Sequence, residues 1–190
     1  ANAYASCPVC SPSRASYLTG RYPARVGVTD WIDMEGTFHP LRAKLIEAPY
    51  IHHLPKGSRT IAHSLNEAGY ATWHVGKWHL GGEEFYPDKF GFEKNIGGCS
   101  WGHPHCGYFS PYNIDTLENG PDGEYLTDRI TDEAIKLIES EEERPFFMSL
   151  CHYAVHTPIQ AKPEDIARFE KKAHDLGLDK EEAIIKGEHI

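Results

Sequence analysis

The stretch with the densest chemistry runs Cys7-Pro8-Val9-Cys10-Ser11-Pro12-Ser13-Arg14-Ala15-Ser16-Tyr17-Leu18-Thr19-Gly20-Arg21. It reads as a nucleophile at the mouth of a short helix. Pro12 suits a first helical turn, where its missing N–H costs nothing. Arg14 to Leu18 can continue that turn, and Gly20 can end it in the left-handed conformation. The free N–H groups of a helix start point outward and favour an anion. A thiol placed there sits where its anionic, nucleophilic form is favoured. Arg14, four residues after Cys10, can bring a planar two-pronged cation back beside it. The local chemistry is a reactive group held next to an oxyanion. A competing reading takes Cys7 and Cys10 as a redox Cys-x-x-Cys pair, which leaves Pro12, Arg14 and the Leu18-Thr19-Gly20-Arg21 tail without a role.

A second concentration is Gly76-Lys77-Trp78-His79-Leu80-Gly81. It follows Tyr70-Ala71-Thr72-Trp73-His74-Val75, which reads as a strand. The C-terminal end of such a strand is where open α/β sheets place their ligands. Alternation puts Lys77 and His79 on one side and Trp78 on the other. A third concentration, Gly97-Gly98-Cys99-Ser100-Trp101-Gly102-His103-Pro104-His105-Cys106, pairs two cysteines with two histidines. Its spacing matches no usual structural zinc pattern. A loop at the rim of a pocket fits better, with His103 or His105 reading the substrate. Trp101, Phe109 and Tyr112 either stack on a sugar face or pack under the loop.

The elements that must position these groups are legible in outline. Thr60 is a candidate N-cap for a helix over 61–68, with Gly69 as its stop. Residues 124–140 carry Leu126, Ile130, Ala134, Leu137 and Ile138 as one apolar stripe at helical spacing. Arg144-Pro145 breaks that helix, and 146–151 reads as a buried strand. Pro163-Glu164 opens a further helix through about Lys172, and Asp179 to Lys186 reads as helical too. Residues 22–58 and 82–123 are irregular and read as long site-bearing loops. Alternating helix, Gly turn and strand predict an α/β layered domain with a mostly parallel sheet flanked by helices.

The 190 residues carry a net charge of −9, with 40% hydrophobic and 25% charged residues. That acidity argues against a general nucleic-acid surface and is read as solubility. The acidic run 139–143 reads as a solvated helix end. No apolar run reaches the ~20 residues of a membrane span, and no basic-then-apolar segment opens the chain. Five cysteines (7, 10, 99, 106 and 151) are an odd number, so at least one stays unpaired within the chain, and they do not decide the redox compartment.

Cys10-Ser11-Pro12-Ser13-Arg14 followed by Leu18-Thr19-Gly20-Arg21 resembles the type I sulfatase signature, Cys-x-Pro-x-Arg and then Leu-Thr-Gly-Arg. Gly69-Tyr70 with Thr72, then Gly76 to Gly81, resembles a second block of that family. An apolar strand closed by His156, two residues before Pro158, resembles a third. The resemblance implies an alkaline-phosphatase-like catalytic fold and hydrolysis of sulfate esters, with carbohydrate sulfates as the expected class. It implies that Cys10 is converted to formylglycine by a maturating (formylglycine-generating) enzyme. One hydroxyl of the hydrated aldehyde then attacks sulfur, and the other expels sulfate. It implies that Lys77 and His156 bind the sulfate, that His79 gives a proton to the leaving oxygen and that Arg14 holds the hydrate. His152 matches no functional position of the family. The resemblance further implies calcium, with the Cys10-derived oxygen as one ligand.

No Asp-Asp and no Asp-Asn pair occurs in the chain, although the family uses both for the metal. Residues 1–190 are therefore expected to be one partial catalytic domain, whose metal-binding strand precedes Ala1 and whose Asp-Asn pair and second lysine follow Ile190. Such a piece alone is expected to be inactive. The family is usually periplasmic, secreted or lysosomal. Two alternatives stay open here: a phosphate or phosphonate ester hydrolase of the same superfamily, and an unmodified relative without catalysis.

Overall fold

The computed structural model describes residues 2, 4–33, 44, 48–140 and 143–178. The expected helix at Asp179–Lys186, residues 141–142 of the acidic run, and residues 34–43 and 45–47 of the loop between Tyr22 and Ser58 fall outside them. Two compact units divide the chain, 1–158 and 159–190. All the chemistry read above lies in the first.

In that unit, α1 spans Cys10–Thr19, α2 Pro23–Val26, α3 Ile61–Glu67 and α4 Leu126–Ser140, and the strands are β1 Ala71–Gly76, β2 Lys94–Ile96 and β3 Phe146–Cys151. The sheet order is β2-β1-β3, and both pairings are parallel. Parallel neighbours need crossovers, which here are the 77–93 loop with its two 3-10 turns and the passage through α4. The mostly parallel, helix-flanked sheet expected from the sequence is present.

β1 is central and buried along its whole length, so its two faces serve two cores. Ala71, Trp73 and Val75 pack with Leu126, Ile130, Ala134 and Leu137 of α4. The opposite face belongs to a second core, where Ala15 and Leu18 of α1 and Ala62 of α3 meet Trp78, Phe90 and Phe92. The period-2 alternation of a strand between helices on both sides produces this division.

Local signals set the helix ends. Gly20 closes α1 at φ 66°, ψ 21°, and its N–H donates to Ser16 O. Thr60 caps α3: its Oγ1 accepts from His63 N, and its own N–H donates to His63 Nδ1 at 3.2 Å. In the second unit, α5 covers Pro163–Asp175, three residues longer than expected.

Four expectations are corrected. α4 starts at Leu126, and Ile138 is 46% exposed, so the buried stripe is Leu126, Ile130, Ala134 and Leu137. β2 lay unseen in a stretch read as irregular, because three residues carry no period of their own. β3 is only partly buried, with Phe146 and Leu150 more than 40% exposed. Among the described residues it pairs only with β1, so its other edge has no neighbouring strand. The strand pleat does not orient Lys77 and His79. β1 ends at Gly76 (φ 97°), and His79 itself adopts φ 58°. A Cβ on Gly76 would lie 2.0 Å from Cys151 O, so the ends of β1 and β3 meet where no side chain fits.

Candidate active site

The parallel register pairs Gly76 with Cys151, and Lys77 N–H donates to Cys151 O at 2.7 Å. Both strands therefore end on one edge of the sheet, and the start of α1 lies against that edge. Cys10 is the first residue of α1. The Lys77 side chain, only 5% exposed, lies beside the Cys10 side chain, near enough for the two to interact electrostatically. Burial lowers the Lys77 pKa, the Cys10 side chain opposes that shift, and the Arg14 cation adds to it.

Arg14 anchors the same corner from below. Its Nη1 donates to Lys77 O at 2.6 Å, tying the helix to the turn after β1. Ser13 Oγ donates to Cys7 O at 2.6 Å, which folds the Cys7 segment over the helix start. Cys7 and Cys10 are both free thiols.

His79 is nearly fully buried. Its Nε2 lies 2.7 Å from Ile32 O, and its Nδ1 lies 3.5 Å from Ser11 Oγ, which accepts from Ile32 N at 3.0 Å. Burial, with Lys77 beside it, pushes its pKa down to about 3, so the ring is neutral at pH 7. Gly102 passes close over this imidazole: a Cβ there would meet the ring at 2.5 Å.

His156 follows β3 and is exposed at one side, with its N–H on Tyr153 O at 3.0 Å. Its ring stacks on His103 (centroids 5.6 Å, 13° between planes), His103 lies against His105 (4.4 Å), and His105 stacks on Trp101 (4.3 Å, 5°). Burial and then neighbouring charge lower the pKa of His103 and of His156. The Lys77 charge contributes to the depression at His79, His103 and His156 alike, which places one ammonium among three imidazoles.

The structure thus brings Cys10, Arg14, Lys77, His79, His103 and His156 to one edge, with His105 on the outer side of His103. His152 stays apart from this set; its Nδ1 is buried without a partner. Trp101 packs against the α4-side core and carries His105 on its face, and Tyr112 is fully buried, so both belong to packing. The thiol of Cys99 is buried against Tyr153 O–H, and Cys106 meets Asn113. Sequence reasoning missed Ser11, Ile32, Tyr17 and His74. Ser11 was signalled by its place beside Cys10. Tyr17 O–H, 3.5 Å from Ser149 Oγ and Cys151 Sγ, bridges α1 to β3 and has no local signature.

Among the described residues no group of three or more His, Cys, Asp or Glu is placed to hold a metal ion. A hard cation such as calcium needs six or more oxygens, so these residues do not by themselves fit one.

The family model described as Sulfatase matches residues 1–182. This chain belongs to the sulfatase family. It is 32% identical over 183 residues to N-acetylgalactosamine-6-sulfatase of Canis lupus familiaris, covering 83% of this chain and 33% of that protein. It is 33% identical over 180 residues to an arylsulfatase of Hemicentrotus pulcherrimus, covering 83% and 30% respectively. Among solved structures, Ps i-CgsB in complex with k-i-k-neocarrahexaose superposes with a TM-score of 0.66 at 28% identity, over 87% of this chain and 39% of that one. The sulfatase chain spans about a third of the length of these curated relatives. No helix among its described residues is long and apolar enough to cross a membrane.

Proposed function

We propose that the protein containing this chain hydrolyses sulfate esters, with Cys10 as the position of the nucleophile. The observation that carries the reading is the buried Lys77 ammonium beside the side chain of Cys10, the first residue of α1, in a chain of the sulfatase family. Converted to formylglycine by a maturating enzyme, Cys10 would supply a hydrated aldehyde, one hydroxyl to attack sulfur and the other to expel sulfate. Lys77 and His156 would hold the sulfuryl oxygens, where fixed cations and donors gain most as charge develops. Arg14, anchored on Lys77 O, would keep the helix start and its positive field in place.

His79 is assigned to proton transfer at the leaving oxygen under one condition. Its Nε2 is engaged by Ile32 O and the ring is neutral at pH 7, so that carbonyl must release the ring, and the ring must take up a proton beside the bound sulfate, before it can give one to the leaving oxygen. No step is routed through calcium, since the described residues do not supply its oxygen shell. Calcium binding therefore belongs to the proposal only with ligands from outside these residues.

For the substrate we take a sulfated carbohydrate, with His103 and His105 as its rim contacts. Support comes from a relative named for N-acetylgalactosamine-6-sulfate and from the neocarrahexaose bound to Ps i-CgsB. Export to a periplasm, lysosome or cell exterior goes with this reading. The test is hydrolysis of an aryl sulfate and of sulfated mono- and oligosaccharides by the full protein, with intact mass reporting conversion of Cys10. A converted, folded protein that releases sulfate from none of them overturns the proposal.

A further inference from the structure

His74 is fully buried in the middle of β1, on the face that looks toward α1. Trp78 and Phe92 meet its ring edge-on at 5.0 and 5.5 Å, and Gly98 leaves room for it where a Cβ would stand 2.7 Å from Cδ2. An apolar side chain would satisfy such a cage. The imidazole instead leaves Nδ1 buried without a partner. Its Nε2 lies 3.1 Å from Gly76 O and 3.2 Å from Lys77 O. Two carbonyl acceptors fix the proton on Nε2. Lys77 O is also the acceptor of Arg14 Nη1.

We propose that His74 is a positioning residue, whose Nε2–H holds the Gly76-Lys77 turn so that the Lys77 ammonium stays beside Cys10 and Lys77 O stays on Arg14. The turn needs such a clamp. Gly76 at φ 97° has no side chain to restrain it, and the ladder to β3 ends at Lys77 N. With the clamp removed, Gly76 O and Lys77 O each lose a donor, although Lys77 O keeps Arg14, so the backbone under the catalytic lysine can rotate. Burial holds the ring neutral, with its pKa pushed to about 3, so the donor keeps one form across the working pH range.

The inference rests on the sulfate-ester reading for its kinetic test, and two substitutions separate donor from bulk. In the full protein, His74→Gln keeps an N–H within reach of the two carbonyls, and His74→Asn draws it back by one methylene. His74→Asn should lower kcat about tenfold with KM changed less than threefold, and His74→Gln should recover most of that loss. Equal kcat in the two variants, with circular dichroism unchanged, overturns the inference.

A second readout needs no turnover. In protein made without conversion of Cys10, peptide mapping gives the rate at which iodoacetamide alkylates each thiol. The Cys10 rate should shift about threefold or more in His74→Asn and return in His74→Gln, while the Cys106 rate stays constant. A Cys10 rate identical in all three proteins also overturns it. A wild-type protein that cleaves no sulfate ester removes the functional reading and leaves this thiol test standing.

Discussion

Arg14, Lys77 and His79 are held by hydrogen bonds to main chain, from Arg14 to Lys77 O, from Lys77 N to Cys151 O and from His79 to Ile32 O, with half-buried Cys10 beside them at the start of α1. His103, His105 and His156 are held at the rim by ring stacking, and two of the three are exposed. The first set cannot shift without breaking buried bonds. The second can tilt at the expense of stacking, worth roughly 0.5–1.5 kcal/mol for a ring pair, and at His156 of exposed hydrogen bonds to Thr157. The contrast assigns rate to the covered side and recognition to the rim, because pre-organisation pays where charge develops and adaptability where substrates differ.

The sharpest way to break that division is at the nucleophile. Cys10→Ala should abolish sulfate release, while Cys7→Ala keeps most of it, since only Cys10 stands at the first position of α1 with Lys77 on its side chain. Equal loss from both, with the fold intact, would return the redox-pair reading. Next, Lys77→Ala should lower kcat on the order of 10²–10³ with little change in KM for an aryl sulfate. A pure KM effect would move Lys77 to the recognition side.

Acid should then weaken the covered side first. His74 and His79 sit near 3 when folded against an ordinary value of 6.5, so between those limits the unfolded chain binds more protons. Their stabilisation is complete above about pH 6.5 and is lost as the pH falls through the window below it. At pH 5 each should have cost about 2 kcal/mol, and chemical denaturation of wild type and His74→Gln should show a shallower acid loss in the variant. Parallel acid curves would mean that His74 titrates freely. The smallest effect belongs to the rim. His103→Ala should raise KM for a carbohydrate sulfate by roughly tenfold or less and leave kcat for an aryl sulfate nearly unchanged. A matched fall in kcat for both substrates would erase the division between the two regions.

Helices α1, α3 and α4 and strand β1 were legible because their signals are local: Pro12 and Gly20, the Thr60 cap, the 3.6-residue stripe and an apolar run bounded by glycine. β2 was not, since its bonds come from β1 and nothing within Lys94–Ile96 demands them. The exposure of β3 was misjudged because an apolar run states what a strand can bury, not how many neighbours it has. Lys77 and His79 were found through their motif, but their orientation follows from Gly76 and a left-handed His79, which no pleat argument supplies. His74 looked like strand filling. Only the placement of two carbonyls at its ring nitrogen distinguishes it, and those arrive by the turn two and three residues later.

The missing Cβ of Gly76 acts as a gauge block between the two halves of the site. Cys151 O comes to where that atom would be, so β1 and β3 approach at a spacing that only hydrogen tolerates. His156, which follows β3, inherits its distance from Lys77 from that contact. Gly76→Ala would therefore act as a wedge: it would spread the strand ends and draw the rim histidines away from Cys10 without touching any of them. For anyone reshaping this site to accept a bulkier ester, the aperture is set at a residue that contacts no substrate.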